Sequence, residues 1–153
     1  MGRAVSLPAS VADCLVEAFG EAVDHVQIFE HSLYARLHIR AVATTRPRRI
    51  YLRGSAEDFF ANPWLMLHEY CHVLRQWQTR DLTILRYLVE CMRHGYWNNR
   101  FEIEAREFAD AHLPRAVAAL RRTRASAEQR LPVIEPTGYA HEKRAHGQRD
   151  PDG

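Results

Sequence analysis

The amino-acid sequence predicts an α+β fold, in which a small mixed or antiparallel sheet precedes a helical core. Short segments rich in β-branched and aromatic residues lie before Gly54, and apolar residues at three- and four-residue spacing dominate from there to about Arg124. A chain of 153 residues with 46% hydrophobic residues is long enough to bury a core. We therefore expect one domain over residues 1–130, followed by a polar, disordered tail over residues 131–153.

The first third of the chain contains one predicted helix and three predicted strands. Helical spacing of apolar residues predicts a helix over residues 8–19, with Gly20 as its stop. Residues 23–29 and residues 34–44 are typical of strands. The third strand, residues 49–53, is short, and its flanking arginines predict an exposed edge strand.

A helix with a clear start signal follows. Ser55 and Asp58 resemble a capping box for a short turn. Asn62 followed by Pro63 then places a capping residue before a proline at the first helical position. Apolar residues continue to about Gln78, which predicts a largely buried helix.

Two further helices are predicted in the last part of the domain. Apolar residues at helical steps indicate one helix over residues 81–94. The next begins at Asn98 or Asn99, and Pro114 either breaks it or starts its continuation to roughly Arg124. Large aromatic residues of this half are expected mainly in the core: Trp64, Trp77, Tyr87, Trp97 and Phe108.

The predicted buried helix carries the pattern His68-Glu69-x-x-His72. Residues four apart lie on one face of a helix, so the two histidines can hold one metal ion between them. Glu69 then lies beside the metal, where it can take a proton from a water molecule. The pattern predicts a metal site with Glu69 as the general base.

A third ligand is needed, because catalytic zinc usually has three protein ligands and a water. One class of proteins with this motif has Gly three residues and His six residues after the second histidine. Arg75 and Gln78 occupy those positions here, which excludes that class.

A later helix supplies glutamates as alternative third ligands. Glu102 and Glu104 cannot both face the metal, because residues two apart on a helix point about 200° apart. Packing and spacing favour Glu102, since the small Ala105 one turn later lets the two helices approach closely. His94 and His112 stay open as alternatives, because histidine is a good zinc donor.

The His-Glu-x-x-His pattern of residues 68–72, followed by Glu102-x-Glu104-Ala105, resembles the gluzincins, the zincins whose third ligand is a glutamate. That group includes the ImmA/IrrE-type peptidases. Within it, the chain most resembles the zincin-like core domain associated with extracellular contractile injection systems, over roughly residues 23–113.

The resemblance implies a zincin-like domain with an active-site helix and a glutamate helix. It implies Zn²⁺ as the cofactor, with His68, His72 and Glu102 as its ligands and Glu69 as the catalytic general base.

One position departs from that pattern. Many relatives carry Asp or Asn four residues after the ligand glutamate, often orienting a histidine, whereas this chain has Arg106. Because a cation cannot accept a histidine N–H, the acceptor must come from elsewhere: Glu107, Asp110 or a backbone carbonyl.

Two functions are consistent with these residues. The first is a zinc-dependent peptidase in which Glu69 activates a water and passes its proton to the leaving amine. Tyr96, Arg100 or Tyr70 is then the donor for the developing oxyanion. The second is a zinc-stabilised, weakly active or inactive module that serves assembly or interaction in a contractile injection or toxin system.

Composition sets expectations about partners. We expect a protein or peptide substrate, and a net charge of +2 gives no broad basic field for nucleic acid. No apolar run approaches membrane-spanning length, so no membrane partner is expected. Three scattered cysteines without a Cys-x-x-Cys motif favour the cytoplasm. The oligomeric state stays open.

Overall fold

The computed structural model describes residues 2–37 and 42–129, which form a four-stranded mixed sheet and a set of helices, so the predicted α+β class is confirmed. In chain order the elements are β1 (Arg3–Val5), α1 (Ala9–Phe19), β2 (Gln27–Glu30), α2 (Leu33–Leu37), β3 (Ala43–Arg46), β4 (Arg49–Leu52), α3 (Ala56–Phe60), α4 (Pro63–Cys71), a π-helix (His72–Trp77), α5 (Ile84–His94) and α6 (Arg100–Glu128). The predicted tail, residues 131–153, lies outside the described residues.

The strand order is β1-β2-β4-β3, with β2 and β4 parallel and the other pairs antiparallel. The prediction that residues 49–53 form an edge strand is therefore wrong, because β4 lies between β2 and β3. The chain reverses at Pro47 and Arg48, and β3 thereby takes the outer position. Ile50 and Leu52 of β4 are buried, while the arginines that suggested an edge lie at the exposed ends of the strand.

Two short elements near the N-terminus differ from the prediction. The strand predicted over residues 34–44 is wrong at its start, because Leu33–Leu37 is helical and only Ala43–Arg46 is a strand. Residues 38–41 lie outside the described part of the chain. A five-residue helix is too short for its periodicity to be distinguished from that of a strand. Strand β1 was not predicted; it is three residues long and pairs with β2.

Local capping explains where several helices begin and end. Gly20 ends α1 in the left-handed conformation, with φ of 72°. The Ser55 hydroxyl accepts a hydrogen bond from the Asp58 backbone N–H at 3.1 Å, which is one half of the predicted capping box, and donates to Asp58 Oδ2 at 2.6 Å. Asn62 Oδ1 accepts from the Leu65 N–H at 3.0 Å and starts α4.

Helix α6 begins after its cap Asn99, as predicted, but Pro114 does not break it. The helix continues to Glu128 although a proline lacks the N–H of one helical hydrogen bond. Burial on both sides of the proline accounts for this: Phe108 and Ala109 before it and Ala116 after it belong to the core. Packing of α1 along α6 thus overrides the local preference.

The core lies between the sheet and the three helices α1, α4 and α6. Helix α4 packs against α6, where Ala105 is fully buried. Its motif segment, from Met66 to Cys71, is buried as well, so the predicted largely buried helix is confirmed. The largest side chains with less than 2% exposure include Tyr70, Phe101, Leu15, Ile28, Ile50, Met66 and Leu67.

Helix α5 covers most of the predicted range 81–94, but none of its residues is buried. Leu85 and Met92 are 72% and 80% exposed, and Trp97 just beyond the helix is 72% exposed. The expectation that Trp97 lies in the core is therefore wrong. Within residues 2–37 and 42–129, no helix combines the length and the apolarity needed to cross a membrane.

Candidate metal centre

Three buried side chains from neighbouring helices converge on one point: His68 of α4, His72 at the start of the π-helix, and Glu102 in the first turn of α6. The two histidine Nε2 atoms lie 3.2 Å apart. Glu102 Oε2 lies 3.3 Å from Nε2 of His68, and Glu102 Oε1 lies 3.6 Å from Nε2 of His72. Tetrahedral zinc ligands at about 2.0–2.2 Å from the metal stand about 3.3–3.6 Å from one another. The three side chains are thus spaced like ligands of one metal ion.

The hydrogen bonding of the polar atoms in the cluster is also consistent with a bound cation. Glu102 Oε2 is buried and makes no well-formed hydrogen bond among the described residues, although His68 Nε2 lies 3.3 Å away, which is unusual for a carboxylate oxygen. His72 Nδ1 lies 2.7 Å from Gln76 Oε1 and donates to it, so the lone pair of His72 Nε2 faces the cluster. Two imidazole nitrogens and one carboxylate are a donor set that suits zinc. The cluster is therefore able to hold a metal ion.

The geometry separates the two glutamates that the sequence left open. Glu102 lies against both histidines, whereas Glu104 Oε2 accepts a hydrogen bond from Gln76 Nε2 at 2.9 Å. Burial acts to raise the pKa of Glu102, but interactions with His68 and His72 outweigh it and hold that pKa well below its usual range. Glu102 is therefore charged, which is the state in which a carboxylate is able to bind a metal.

The other side chains that could have supplied a third metal ligand lie elsewhere. His94 is half exposed at the end of α5 and lies 3.9 Å from Glu90. His112 stacks on the ring of Phe108. Cys71 is fully buried away from the cavity at the cluster, and burial raises the pKa of its thiol to about 12. None of the three belongs to the cluster of residues that could hold a metal.

A residue that the sequence reasoning did not single out holds His72. Gln76 is buried in the π-helix, four residues after His72, and its carbonyl accepts from the histidine. A polar residue one helical turn after His72, on the same face of the helix, is the signal that would have identified it. Arg106 cannot accept a hydrogen bond from a histidine N–H, and Gln76 supplies the acceptor for His72 instead, from the segment that follows the motif.

His68 is held differently. Its ring stacks on Trp64, with 5.1 Å between ring centroids and 18° between planes. The indole N–H of Trp64 donates to Asp110 Oδ1 at 2.7 Å, so the proposed acceptor Asp110 acts on the tryptophan and not on a histidine. His68 Nδ1 is buried without a hydrogen-bond partner among the described residues.

A cavity of about 200 Å³ opens beside the cluster. Glu69 lines it together with both histidines and Glu102, and burial raises the pKa of the Glu69 carboxyl. A raised pKa brings a carboxylate closer to the range that suits a general base at neutral pH.

Two tyrosines lie against Glu102. The Tyr87 hydroxyl donates to Glu102 Oε1 at 2.8 Å. Tyr96 also lines the cavity, and burial together with the Glu102 charge raises its pKa, so its hydroxyl stays protonated. Of the three oxyanion donors considered from the sequence, only Tyr96 lines this cavity; Tyr70 and Arg100 do not.

The fold and the site together define a small α+β protein with a buried His–His–Glu cluster able to hold a metal ion. A comparison with protein-family models finds that residues 6–80, about half of the chain, match the eCIS core domain. This match supports the resemblance to the zincin-like core domain associated with contractile injection systems, and it includes both histidines but not Glu102. Similarity to ImmA/IrrE-type peptidases is not confirmed. No curated protein and no solved structure matches the chain.

Proposed function

We propose that the protein is a zinc-dependent peptidase that acts on extended polypeptide segments. The observation that carries this proposal is the spacing of His68, His72 and Glu102 as three ligands of one ion, with Glu69 on the wall of the same cavity. The chemistry that zinc supplies in such a site is polarisation of a peptide carbonyl and acidification of a water molecule.

Glu69, Tyr96 and Tyr87 each have a separate role in the proposed reaction. Glu69 takes the proton of the attacking water and passes it to the leaving amine. Tyr96, with its hydroxyl protonated, donates to the oxyanion that develops on the substrate carbonyl. Tyr87 fixes the orientation of Glu102 through its hydrogen bond to Oε1.

The walls of the cavity indicate the class of substrate. Thr44, Thr45 and Arg46 of β3 line the cavity, and β3 pairs only with β4 among the described strands. An open strand edge can bind an extended peptide through backbone hydrogen bonds. Ile84 and Leu88 of α5 line the same cavity, and both are about half exposed. We therefore propose an extended substrate segment with apolar side chains on the α5 side.

The test compares the wild-type protein with Glu69→Gln, which keeps the side-chain size and all three proposed ligands. Zinc content is measured first, and cleavage of a mixture of unfolded proteins is then followed by mass spectrometry. We expect about one zinc per chain in both proteins and a loss of at least about 10²-fold in cleavage rate in the variant, since a general base typically contributes that much. Equal cleavage by both proteins would remove Glu69 from the mechanism.

A second candidate function is a zinc-stabilised module for assembly in a contractile injection or toxin system. The observation that favours it is the exposed apolar face of α5, with Leu85 and Met92 turned to solvent, because such faces often mark protein interfaces. The similarity to the eCIS core domain is consistent with this role. Stoichiometric zinc in wild type, without any cleavage that Glu69→Gln abolishes, would favour the module over the peptidase.

A further inference from the structure

Gln76 is a buried amide whose polar atoms are all used. It is 1% exposed and lies in the π-helical turn that follows the histidine motif. Its Oε1 lies 2.7 Å from His72 Nδ1. Its Nε2 donates to the backbone carbonyl of Phe101 and to Glu104 Oε2, both at 2.9 Å.

The two acceptors fix the orientation of the amide. A carbonyl oxygen and a carboxylate oxygen can be satisfied only by the NH₂ group, so the amide oxygen must point toward His72. An oxygen accepts and cannot donate, and His72 Nδ1 therefore carries the hydrogen. The neutral histidine is held in the tautomer whose Nε2 lone pair faces His68 and Glu102.

The same amide reaches the glutamate helix. Phe101 and Glu104 flank Glu102 on the first turn of α6, so Nε2 of Gln76 is hydrogen-bonded to residues on both sides of the glutamate. One side chain thus ties the turn that carries His72 to the turn that carries Glu102. Gln76 lies in a π-helical turn, in which the Gln78 N–H donates to the Val73 carbonyl five residues earlier, and such turns are frequent at functional sites.

We propose that Gln76 is a positioning residue of the metal site, which sets both the tautomer of His72 and the distance between the histidine pair and Glu102. The inference rests on the zinc site proposed above. Gln76 does not touch the metal or the substrate and acts through His72 and through the first turn of α6.

The test is zinc affinity, measured by competition with a chelator. Gln76→Met keeps the length of the side chain and removes both hydrogen-bonding ends. We expect zinc to bind this variant about 10–100-fold more weakly, the range typical for the loss of a partner that orients a ligand. Gln78→Met changes an exposed glutamine on the same turn and serves as the matched control. Leu74→Ala, a buried core residue of the π-helix, serves as a control for destabilisation alone.

A purely structural role predicts that Leu74→Ala and Gln76→Met weaken zinc binding to the same extent once both are shown to be folded by circular dichroism. That result, or wild-type affinity in Gln76→Met, would overturn the proposal. The visible absorption of bound Co²⁺ gives a second readout, and we expect an altered spectrum in Gln76→Met only.

A measurement on the wild-type protein covers the case in which Gln76→Met does not fold. Long-range ¹H–¹⁵N correlation spectra of the metal-free protein report which nitrogen of His72 carries the hydrogen in its neutral form. We expect Nδ1, and a hydrogen on Nε2 would overturn the proposal. If wild type itself binds no zinc while His72 shows the expected tautomer, the proposed metal site fails and the tautomer assignment stands, so the two failures are distinguishable.

Discussion

Replacing Glu102 and Glu104 one at a time tests the assignment of the third ligand most directly. Glu102→Gln removes the charge and one potential ligand oxygen at a site 3.3 Å and 3.6 Å from the two histidines. Glu104→Gln makes the same chemical change two residues away, and its new amide oxygen can still accept the hydrogen bond from Gln76. The two substitutions therefore make the same change in size and charge on the same helix.

The expected magnitude follows from linkage between binding and unfolding. Zinc at about 1,000 times its dissociation constant stabilises the folded wild type by about 4 kcal/mol. If Glu102→Gln weakens binding about 100-fold, which is the upper end for a partner that only orients a ligand and therefore a lower bound for a ligand itself, the same zinc concentration is only about 10 times the new constant. The stabilisation then falls to about 1.4 kcal/mol. At about 4 °C per kcal/mol, zinc raises the melting temperature by about 16 °C in wild type and about 6 °C in the variant.

The assay is a thermal melt followed by circular dichroism, with and without zinc, combined with metal analysis of the dialysed proteins. Glu104→Gln is expected to show the wild-type zinc shift within about 3 °C. A full zinc shift in Glu102→Gln, or its loss in Glu104→Gln alone, would refute the assignment of Glu102 as the third ligand. Comparable losses in both variants would show that the first turn of α6 responds as a whole and that no single carboxylate is the ligand.

Three further changes test the surroundings of the site. Asn62→Ala removes the cap of α4 and should lower the free energy of unfolding of the metal-free protein by about 1 kcal/mol in urea titrations, whereas an unchanged midpoint would contradict the capping role. Tyr87→Phe removes the hydrogen bond to Glu102 and should weaken zinc binding by about 10-fold in chelator competition, with wild-type affinity as the contrary result. Leu88→Asp should raise KM for apolar peptides by at least about 10-fold without changing zinc content, and Leu85→Asp, which lies outside the cavity, should not; equal effects would argue against an apolar substrate wall.

The helices could be predicted from the sequence because the residues that mark their starts act locally. Asn62 before Pro63 and Asn99 before α6 each mark a helix start through a cap that needs no distant partner. The His68 to His72 spacing likewise places two side chains on one face without knowledge of the tertiary fold.

The features that the sequence did not reveal depend on distant contacts. Nothing within β4 indicates that β3 folds back onto its outer side, so its terminal arginines suggested an edge. The periodicity of α5 predicted a helix with one apolar face correctly, but periodicity cannot indicate whether another element covers that face. The preference for Glu102 over Glu104, by contrast, was accessible from the sequence through the small Ala105, which is fully buried where α6 meets α4 and turns Glu102 toward the two histidines.

The departure from the family pattern at Arg106 does not deprive His72 of a hydrogen-bond acceptor. Its guanidinium donates to the Trp97 backbone carbonyl and lies 5.5 Å from the centre of the Trp97 ring, at the exposed side of α6. A carboxylate at this position is not needed for His72, because Gln76 supplies the acceptor from the same helix. The unmatched atom is instead Nδ1 of His68, which is buried without an acceptor among the described residues. A buried polar atom without a partner costs about 1–3 kcal/mol. The contact that positions the His68 ring is its stacking on Trp64.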